Sequence, residues 1–375
     1  MAIPYGHQSI NDDDVQAVVK ALTSDWLTTG PAVSDFEEAI CRVAEAEEAV
    51  VVSSGTAALH CAYIAADVGP DDEVVTSPLT FMATAATAAN LGAKVVFADV
   101  QEDTGNIDPD AVADAVSDRT RVVAAVDFAG HPADLDPLLD LAHDRGALLL
   151  EDAAHSIGSM YRDRAIGSVA DLTTFSFFAT KNLTTAEGGA IVGKAGPVMV
   201  AARECRNHGL VRDKARQRHP DEGPWHQEVH RFGLNFRLPD VLCALGSSQL
   251  ARLAVFKQRR REIFDRYQQG LDGVPGVKLP VLRDDVDPMW HLYPLRILEG
   301  RRRQVYDFLR EQGVLVQVNY LPAYWHPAFE DLGYRRGICP VAERYYHEEL
   351  SLPMYADLSP GEQDRVIDLV RQAVR

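Results

Sequence analysis

The sequence predicts an α/β protein with a mostly parallel central sheet flanked by helices over residues 1–250, the N-terminal segment included, and a small C-terminal α/β domain over residues 251–375. Three observations predict it. Short β-branched runs alternate with helical stretches through the first half of the chain. A long stretch rich in Leu, Ala and Arg follows, from Pro239 to about Leu271. After Gly276 the composition changes to apolar segments separated by polar helical ones.

In chain order, Val50–Val52, Glu73–Thr76, Lys94–Ala98, Arg121–Val126 and Ala147–Glu151 have strand composition. Between them Ala57–Ala66, Met82–Leu91, Pro109–Val116 and Leu135–Arg145 read as helices, with Asp108 and Pro109 as cap and first helical residue. Leu172–Phe178 and Ala190–Gly193 are separated only by a polar loop, which predicts an antiparallel element inside the parallel pattern. Arg212–His230 is polar and aperiodic, a long loop of the kind that is functional or mobile. Pro239–Leu271 reads as one helix and marks the domain boundary. In the last part HLYPLRI and VLVQVNY suggest strands of a short antiparallel sheet, with RRRQVYDFLREQG and the ending SPGEQDRVIDLVRQAV helical.

Bulk properties narrow the function. The net charge of −18 repels phosphate backbones and argues against nucleic acid as a partner. No apolar run approaches the ~18–20 residues of a membrane helix, and the first residues lack the pattern of a signal peptide, so a cytoplasmic protein with no membrane partner is expected. Five scattered cysteines without C-x-x-C spacing read as reduced thiols, with no metal site.

Of the seven lysines, six lie in charged or strand-bordering settings. Lys181 alone follows a buried-looking run, TTFSFFAT, and precedes the small, polar NLTTAEGG. Burial disfavours an ammonium and favours the neutral amine that Schiff-base chemistry needs. Asp152 closes the run ALLLED at the carboxyl end of an expected strand, where open α/β sheets bind ligands. It is placed either to pair with a pyridine nitrogen or to cap a helix. The segment VVVSSGTAALH runs strand, Ser53-Ser54-Gly55-Thr56, helix, an arrangement that offers free amides to a phosphate and that an ordinary capped helix also shows.

Together these pieces resemble fold-type I pyridoxal 5'-phosphate enzymes, in particular the DegT/DnrJ/EryC1/StrS sugar aminotransferase family. The likeness runs through SDWLTTGP, SSGTAALH, SPLTF, DFAGHPADLD, EDAAHSIGS, SFFATKNLTTAEGG, RNHG, GLNFRLPD and SLPMY, nearly the whole chain. The resemblance implies that Lys181 carries the cofactor as a Schiff base and that Asp152 faces its ring nitrogen. It further implies Ser54, Gly55, Thr56 and Ser176 on the phosphate, Phe81 stacked on the ring, and His155 near the phenolic oxygen. Asn235 corresponds to a residue contributed by the partner subunit, so a homodimer with shared active sites is implied. Trp26, Glu187, His208, Tyr320 and Trp325 are the candidate substrate contacts.

Within the family, DEGPWHQE, LGSSQLARL and HLYPLRI…VQVNYLPAYWHP are similar to transaminases acting at C4 of UDP-4-keto-6-deoxy-N-acetylhexosamines. The implied substrates are a nucleotide keto sugar and an amino acid donor, glutamate first. Ala186 departs from the glycine of many relatives and leaves the sugar open. C3-keto sugars, cyclitols and a non-catalytic PLP-binding regulator are the rival readings, and retention of both Lys181 and Asp152 speaks against the last. Other features carry less. Gly188–Ala195 lacks the Ser or Thr of a P-loop, and His226 with His230 lack the zinc-enzyme pattern. Tyr320, Tyr324 and Trp325 suit a core or a sugar site equally.

Overall fold

A computed structural model describes residues 2–375. The chain begins with α1 (Asp12–Leu22), where Asn11 and Asp14 satisfy each other's backbone amides as a capping box, and α2 (Pro31–Ala44), which has proline in its first turn. Strands and helices then alternate: β1 (Glu48–Val52), α3 (Gly55–Ala65), β2 (Glu73–Thr76), α4 (Ala83–Asn90), β3 (Lys94–Phe97), α5 (Pro109–Ala115), β4 (Thr120–Val126), α6 (Leu135–His143) and β5 (Leu148–Asp152). A hairpin of β6 (Met160–Tyr161) and β7 (Arg164–Ala165) precedes β8 (Leu172–Ser176) and β9 (Gly189–Gly193).

The seven-stranded sheet has the order β1-β9-β8-β5-β4-β2-β3. β3, β2, β4, β5 and β8 pair in parallel, while β9 runs antiparallel to both β8 and β1. The connection 177–188 contains no helix, so it returns the chain directly beside β8 and cannot make a parallel crossover. Both faces of the sheet are covered: Val122, Ala124 and Leu150 belong to one apolar cluster, and Val123, Ala125 and Leu149 to the other. This alternation is the two-residue period of a strand.

After α7 (Pro197–Cys205) the chain forms an arm. Where an aperiodic loop was expected, β10 (Leu210–Val211) pairs with β11 (Glu228–Val229), and two short 3-10 turns lie between them. The Glu228 carboxylate ties the arm together, accepting from the amides of Arg218 and His219 at 2.7 and 2.6 Å and facing the rings of His226 and His230 at 3.2 and 2.5 Å. The two histidines are thus spoken for by Glu228, and among the described residues no group of three or more His, Cys, Asp or Glu could hold a metal.

The expected single helix 239–271 is two, α8 (Asp240–Ala251) and α9 (Leu253–Leu271), separated at Arg252 with φ −103° and ψ 4°. No glycine or proline marks the break. Its side chain reaches the N-terminal segment instead, donating to Ser9 O at 3.0 Å and pairing with Asp14.

Beyond α9, β12 (Val277–Lys278) joins a second sheet and β13 (Val286–Asp287) pairs with β6. The second sheet has the order β12-β14-β15, with β14 (Tyr293–Ile297) and β15 (Glu349–Leu352) antiparallel. Around it lie α10 (Arg302–Glu311), α11 (Pro327–Asp331), α12 (Pro340–Glu348) and α13 (Pro360–Ala373). VLVQVNY is not a strand. It makes isolated bridges, Val314 with Ile3 and Gln317 with Ser351, because its amides are shared among the N-terminal segment, β15 and the Glu349 carboxylate. One apolar cluster runs from the large sheet into this region, taking in Val50, Leu150, Leu295 and Leu352. No described helix is long and apolar enough to cross a membrane.

Candidate active site

A cavity of about 460 Å³ opens at the carboxyl ends of β4, β5 and β8. One end of it is built for an anion. Ser54 caps α3, its Oγ accepting from Ala57 N at 3.1 Å. The amides of Gly55 and Thr56, the first two of the helix, have no acceptor within it and lie on the cavity wall at its positive end. A side chain at position 55 is excluded, since a Cβ would sit 2.9 Å from Ser176 Cβ. That close approach brings Ser176, at the end of β8, beside the two amides.

Asp152 ends β5 and is 6% exposed. No helix starts after it, so the capping alternative falls away. Its Oδ2 accepts from Thr84 Oγ1 at 2.6 Å and its Oδ1 from Ala154 N at 3.2 Å. Burial pushes the carboxyl up, while Thr84, the Ala154 amide and the Lys181 charge pull it down. Thr84 is itself held: Tyr63 donates to its carbonyl at 2.9 Å, and its hydroxyl lies 2.7 Å from that of Thr80.

Lys181 lies in the connection 177–188, with its amide on Phe178 O at 2.9 Å and its side chain on the cavity wall. Burial lowers its amine to about 8, against the pull of Asp152. A neutral amine is therefore accessible near neutral pH and can attack an aldehyde or carry a proton.

The remaining wall is aromatic. His155 lies against His291 with ring centroids 4.3 Å apart and planes tilted by 34°, and burial holds both imidazoles well below their ordinary pKa. The Tyr320 phenol, pushed up by burial and so a donor, lies 3.2 Å from His155 Nε2. His155 Nδ1 is buried without a partner. Asn182 organises the group by donating to His155 O at 2.5 Å and Met289 O at 3.2 Å, which leaves its Oδ1 to accept from His291 Nδ1–H at 3.1 Å. Phe81, 62% exposed, tilts edge-on to Tyr320 at the rim, and Glu187 stands at the mouth.

Ser54, Gly55, Thr56, Phe81, Asp152, His155, Ser176, Lys181, Glu187 and Tyr320 thus meet at one cavity, as the sequence analysis expects of a single site. Four candidates do not line it in this chain. Trp26, His208 and Asn235 are exposed elsewhere. Trp325 is corrected: it is 6% exposed, donates to Glu343 at 3.2 Å and lies under the Arg336 guanidinium, in the packing around the second sheet and away from the cavity. Tyr324, bonded to the same Glu343 at 2.6 Å, is core as well.

Several contributors were not singled out from sequence. Tyr5 and Asn319 line the cavity, joined at 2.7 Å, and Thr84, Asn182 and His291 act through contacts that local pattern does not show. Only Asn182, beside Lys181, had a positional signal. The donor set is that of a site for a phosphorylated pyridine aldehyde: amides and a hydroxyl at one end, a carboxylate for a ring nitrogen, and an amine of lowered pKa.

The chain was compared with known proteins. The profile of the DegT/DnrJ/EryC1/StrS aminotransferase family matches residues 8–371. The spore coat polysaccharide biosynthesis protein SpsC of Bacillus subtilis is 39% identical over 379 residues, covering 100% of this chain and 97% of that protein. The UDP-4-amino-4,6-dideoxy-N-acetyl-beta-L-altrosamine transaminase of Campylobacter jejuni is 35% identical over 364 residues, covering 95% and 93%. Among solved structures, Spr1654 of Streptococcus pneumoniae in its PMP form superposes with a TM-score of 0.93 at 29% identity, covering 99% of each chain, and its PLP form gives 0.92.

Proposed function

The chain belongs to the DegT/DnrJ/EryC1/StrS aminotransferase family, and from that premise we propose that it transfers an amino group from an amino acid, glutamate in the first instance, to the C4 keto group of a nucleotide-linked 4-keto-6-deoxy sugar. The observation that carries this reading is the meeting of Lys181, Asp152 and the N-terminus of α3 at one cavity. The name of the Campylobacter jejuni relative, a transaminase of a 4-amino-4,6-dideoxy sugar, supports the choice of C4.

Pyridoxal 5'-phosphate, when bound, supplies an electron sink for the pair released at the donor's α-carbon. The residues do the rest. The Gly55 and Thr56 amides and the Ser176 hydroxyl would hold its phosphate, and the Lys181 amine would be the group that carries its aldehyde carbon. Asp152 keeps the proton on the ring nitrogen. The Lys181 amine would take the proton from the donor's α-carbon and supply one to the carbon of the sugar that becomes the amine. His155, backed by His291, and Phe81 would confine the ring, and Tyr320 and Glu187 would border the sugar. Trp26, His208 and Asn235 are exposed and do not line the cavity of their own chain, which supports, with the family resemblance at Asn235, a reading in which the working unit is a homodimer with shared sites.

The test has two parts. Borohydride reduction of the yellow protein followed by peptide mapping is expected to label Lys181, and a label on another lysine refutes the cofactor assignment. Incubation with glutamate and a panel of nucleotide keto sugars, read by mass spectrometry and NMR, is expected to give a C4 amine. A C3 amine, or a preference for a free cyclitol, refutes the substrate assignment and leaves the aminotransferase reading standing.

A further inference from the structure

Beneath Asp152, on the other side of the sheet, lie two carboxyls that the proposed chemistry does not use. Glu151 precedes Asp152 on β5, so its side chain points to the opposite face. Asp127 follows β4, whose Val126 pairs with Asp152, and the Asp127 amide donates to Asp152 O at 3.2 Å. Both side chains are fully buried, and they lie on neighbouring strands on the same face of the sheet, since Glu151 is level with Ala125 and Asp127 stands two residues further on.

Their other partners are all neutral. Asp127 Oδ1 accepts from Ala133 N at 2.9 Å and Oδ2 from Ser156 Oγ at 2.5 Å. Glu151 Oε2 accepts from Thr173 Oγ1 at 2.8 Å. Glu151 Oε1 is buried and receives no donor. Two carboxylates side by side, away from water and without a cation, do not both ionise. A proton on Glu151 Oε1 turns the one unsatisfied atom into a donor toward Asp127, whose two oxygens are already supplied with donors and suit the charged form. Burial and the neighbouring Asp127 push Glu151 upward, in agreement with the geometry.

We propose that Glu151 and Asp127 form a one-proton carboxyl pair, with the proton on Glu151 and the charge on Asp127, and that the pair positions Asp152 and adds negative potential behind it. The second half rests on the reading that Asp152 faces the cofactor's ring nitrogen. The pair grips the end of β4, the turn that carries His155 through Ser156, and β8 through Thr173, so both flanks of Asp152 are fixed from below. The ionisable groups around it are few. Asp152 lies across the sheet with Lys181 beyond it, and His131, on the loop after β4, turns away to Asn106 and Arg283. A buried negative charge at Asp127 raises the proton affinity of every group that shares its field, and the ring nitrogen beside Asp152 is the one that chemistry needs protonated.

The experiment separates the two halves. Infrared difference spectra of cofactor-free protein are expected to show the carbonyl band of a buried protonated acid throughout the neutral range, lost in Glu151→Gln. That variant replaces the O–H donor by an N–H donor and is expected to keep the melting temperature that Glu151→Ala loses. With cofactor bound, Asp127→Asn is expected to lower the pH midpoint of the absorbance titration by about one unit, the size expected for a nearby charge, while Glu151→Gln leaves it in place. Absence of the acid band overturns the pair, whatever the cofactor does. With the band present, an equal shift in both variants, or none in Asp127→Asn, overturns the positioning role. If Asp127→Asn does not fold, Asp127→Asn combined with Glu151→Gln, a neutral amide pair, gives the same midpoint reading. A label on a lysine other than Lys181 would instead strike the functional premise and not the pair.

Discussion

Replacing Thr84 by valine removes one hydroxyl and leaves the shape of the side chain, which makes it a clean probe of how Asp152 is held. The Thr84 hydroxyl is the shorter of two donors to the carboxylate, at 2.6 Å against 3.2 Å for the Ala154 amide. A hydrogen bond to a charged group contributes roughly 1.5–3 kcal/mol. If that interaction keeps Asp152 ionised and aimed through the transition state, its loss lowers kcat/KM by roughly 10- to 150-fold, at about 1.36 kcal/mol per factor of ten. Thr84 acts through Asp152, so the KM of the keto sugar is expected to stay within about twofold, and kcat to carry the loss. Thr84→Ser keeps the hydroxyl and is expected to recover most of the rate. The assay is steady-state turnover with a saturating donor, corrected for cofactor occupancy by absorbance. Turnover of Thr84→Val within about threefold of the parent would show that the Ala154 amide alone suffices and that the contact is incidental.

Three further outcomes are expected. The rate at which cofactor re-attaches to cofactor-free protein should rise with pH and level off near 8, where the Lys181 amine loses its proton; a rate still climbing well above that pH would mean an ordinary exposed lysine is reacting. Burial pushes Glu349 up to about 8, above the ~4.3 of an unfolded glutamate, so the native state alone keeps that proton between these values. Stability is then full below about 4.3 and falls through the window as pH rises, by on the order of a few kcal/mol. Urea unfolding at stepped pH should show this slope flattened in Glu349→Gln, and parallel slopes would refute it. Finally, inactive Lys181→Ala and Asn235→Ala subunits should regain part of the parent activity on mixing, because one mixed site collects both lesions and the other is intact. No recovery despite subunit exchange shown by mass spectrometry would exclude a composite site.

How much could be read beforehand depended on the range of the forces involved. β1 to β5 fall within about two residues of the expected runs, because β-branched composition and glycine or proline punctuation are local signals. Lys181 and Asp152 stood out for the same reason, each ending an apolar run. The break at Arg252 left no trace, since no breaker residue marks it and the partners of Arg252, Ser9 and Asp14, are distant in sequence. Trp325 was misjudged because an aromatic beside polar residues looks the same whether it caps a core or faces a ligand. Thr84 and His291 acquire their roles from partners 68 and 109 positions away, a distance over which spacing carries no information.

The bond between Tyr5 and Asn319 spans 314 positions. Asn319 is in turn held by Glu349, one of the last strand residues to be made. Synthesis therefore delivers the site in two instalments. The N-terminus of α3, Asp152 and Lys181 are made before the wall formed by Tyr5, Asn319 and Tyr320 can close, since that wall waits for β15. Before that strand is made the trough lacks one of its walls, so a pocket closed on every side belongs to the finished polypeptide.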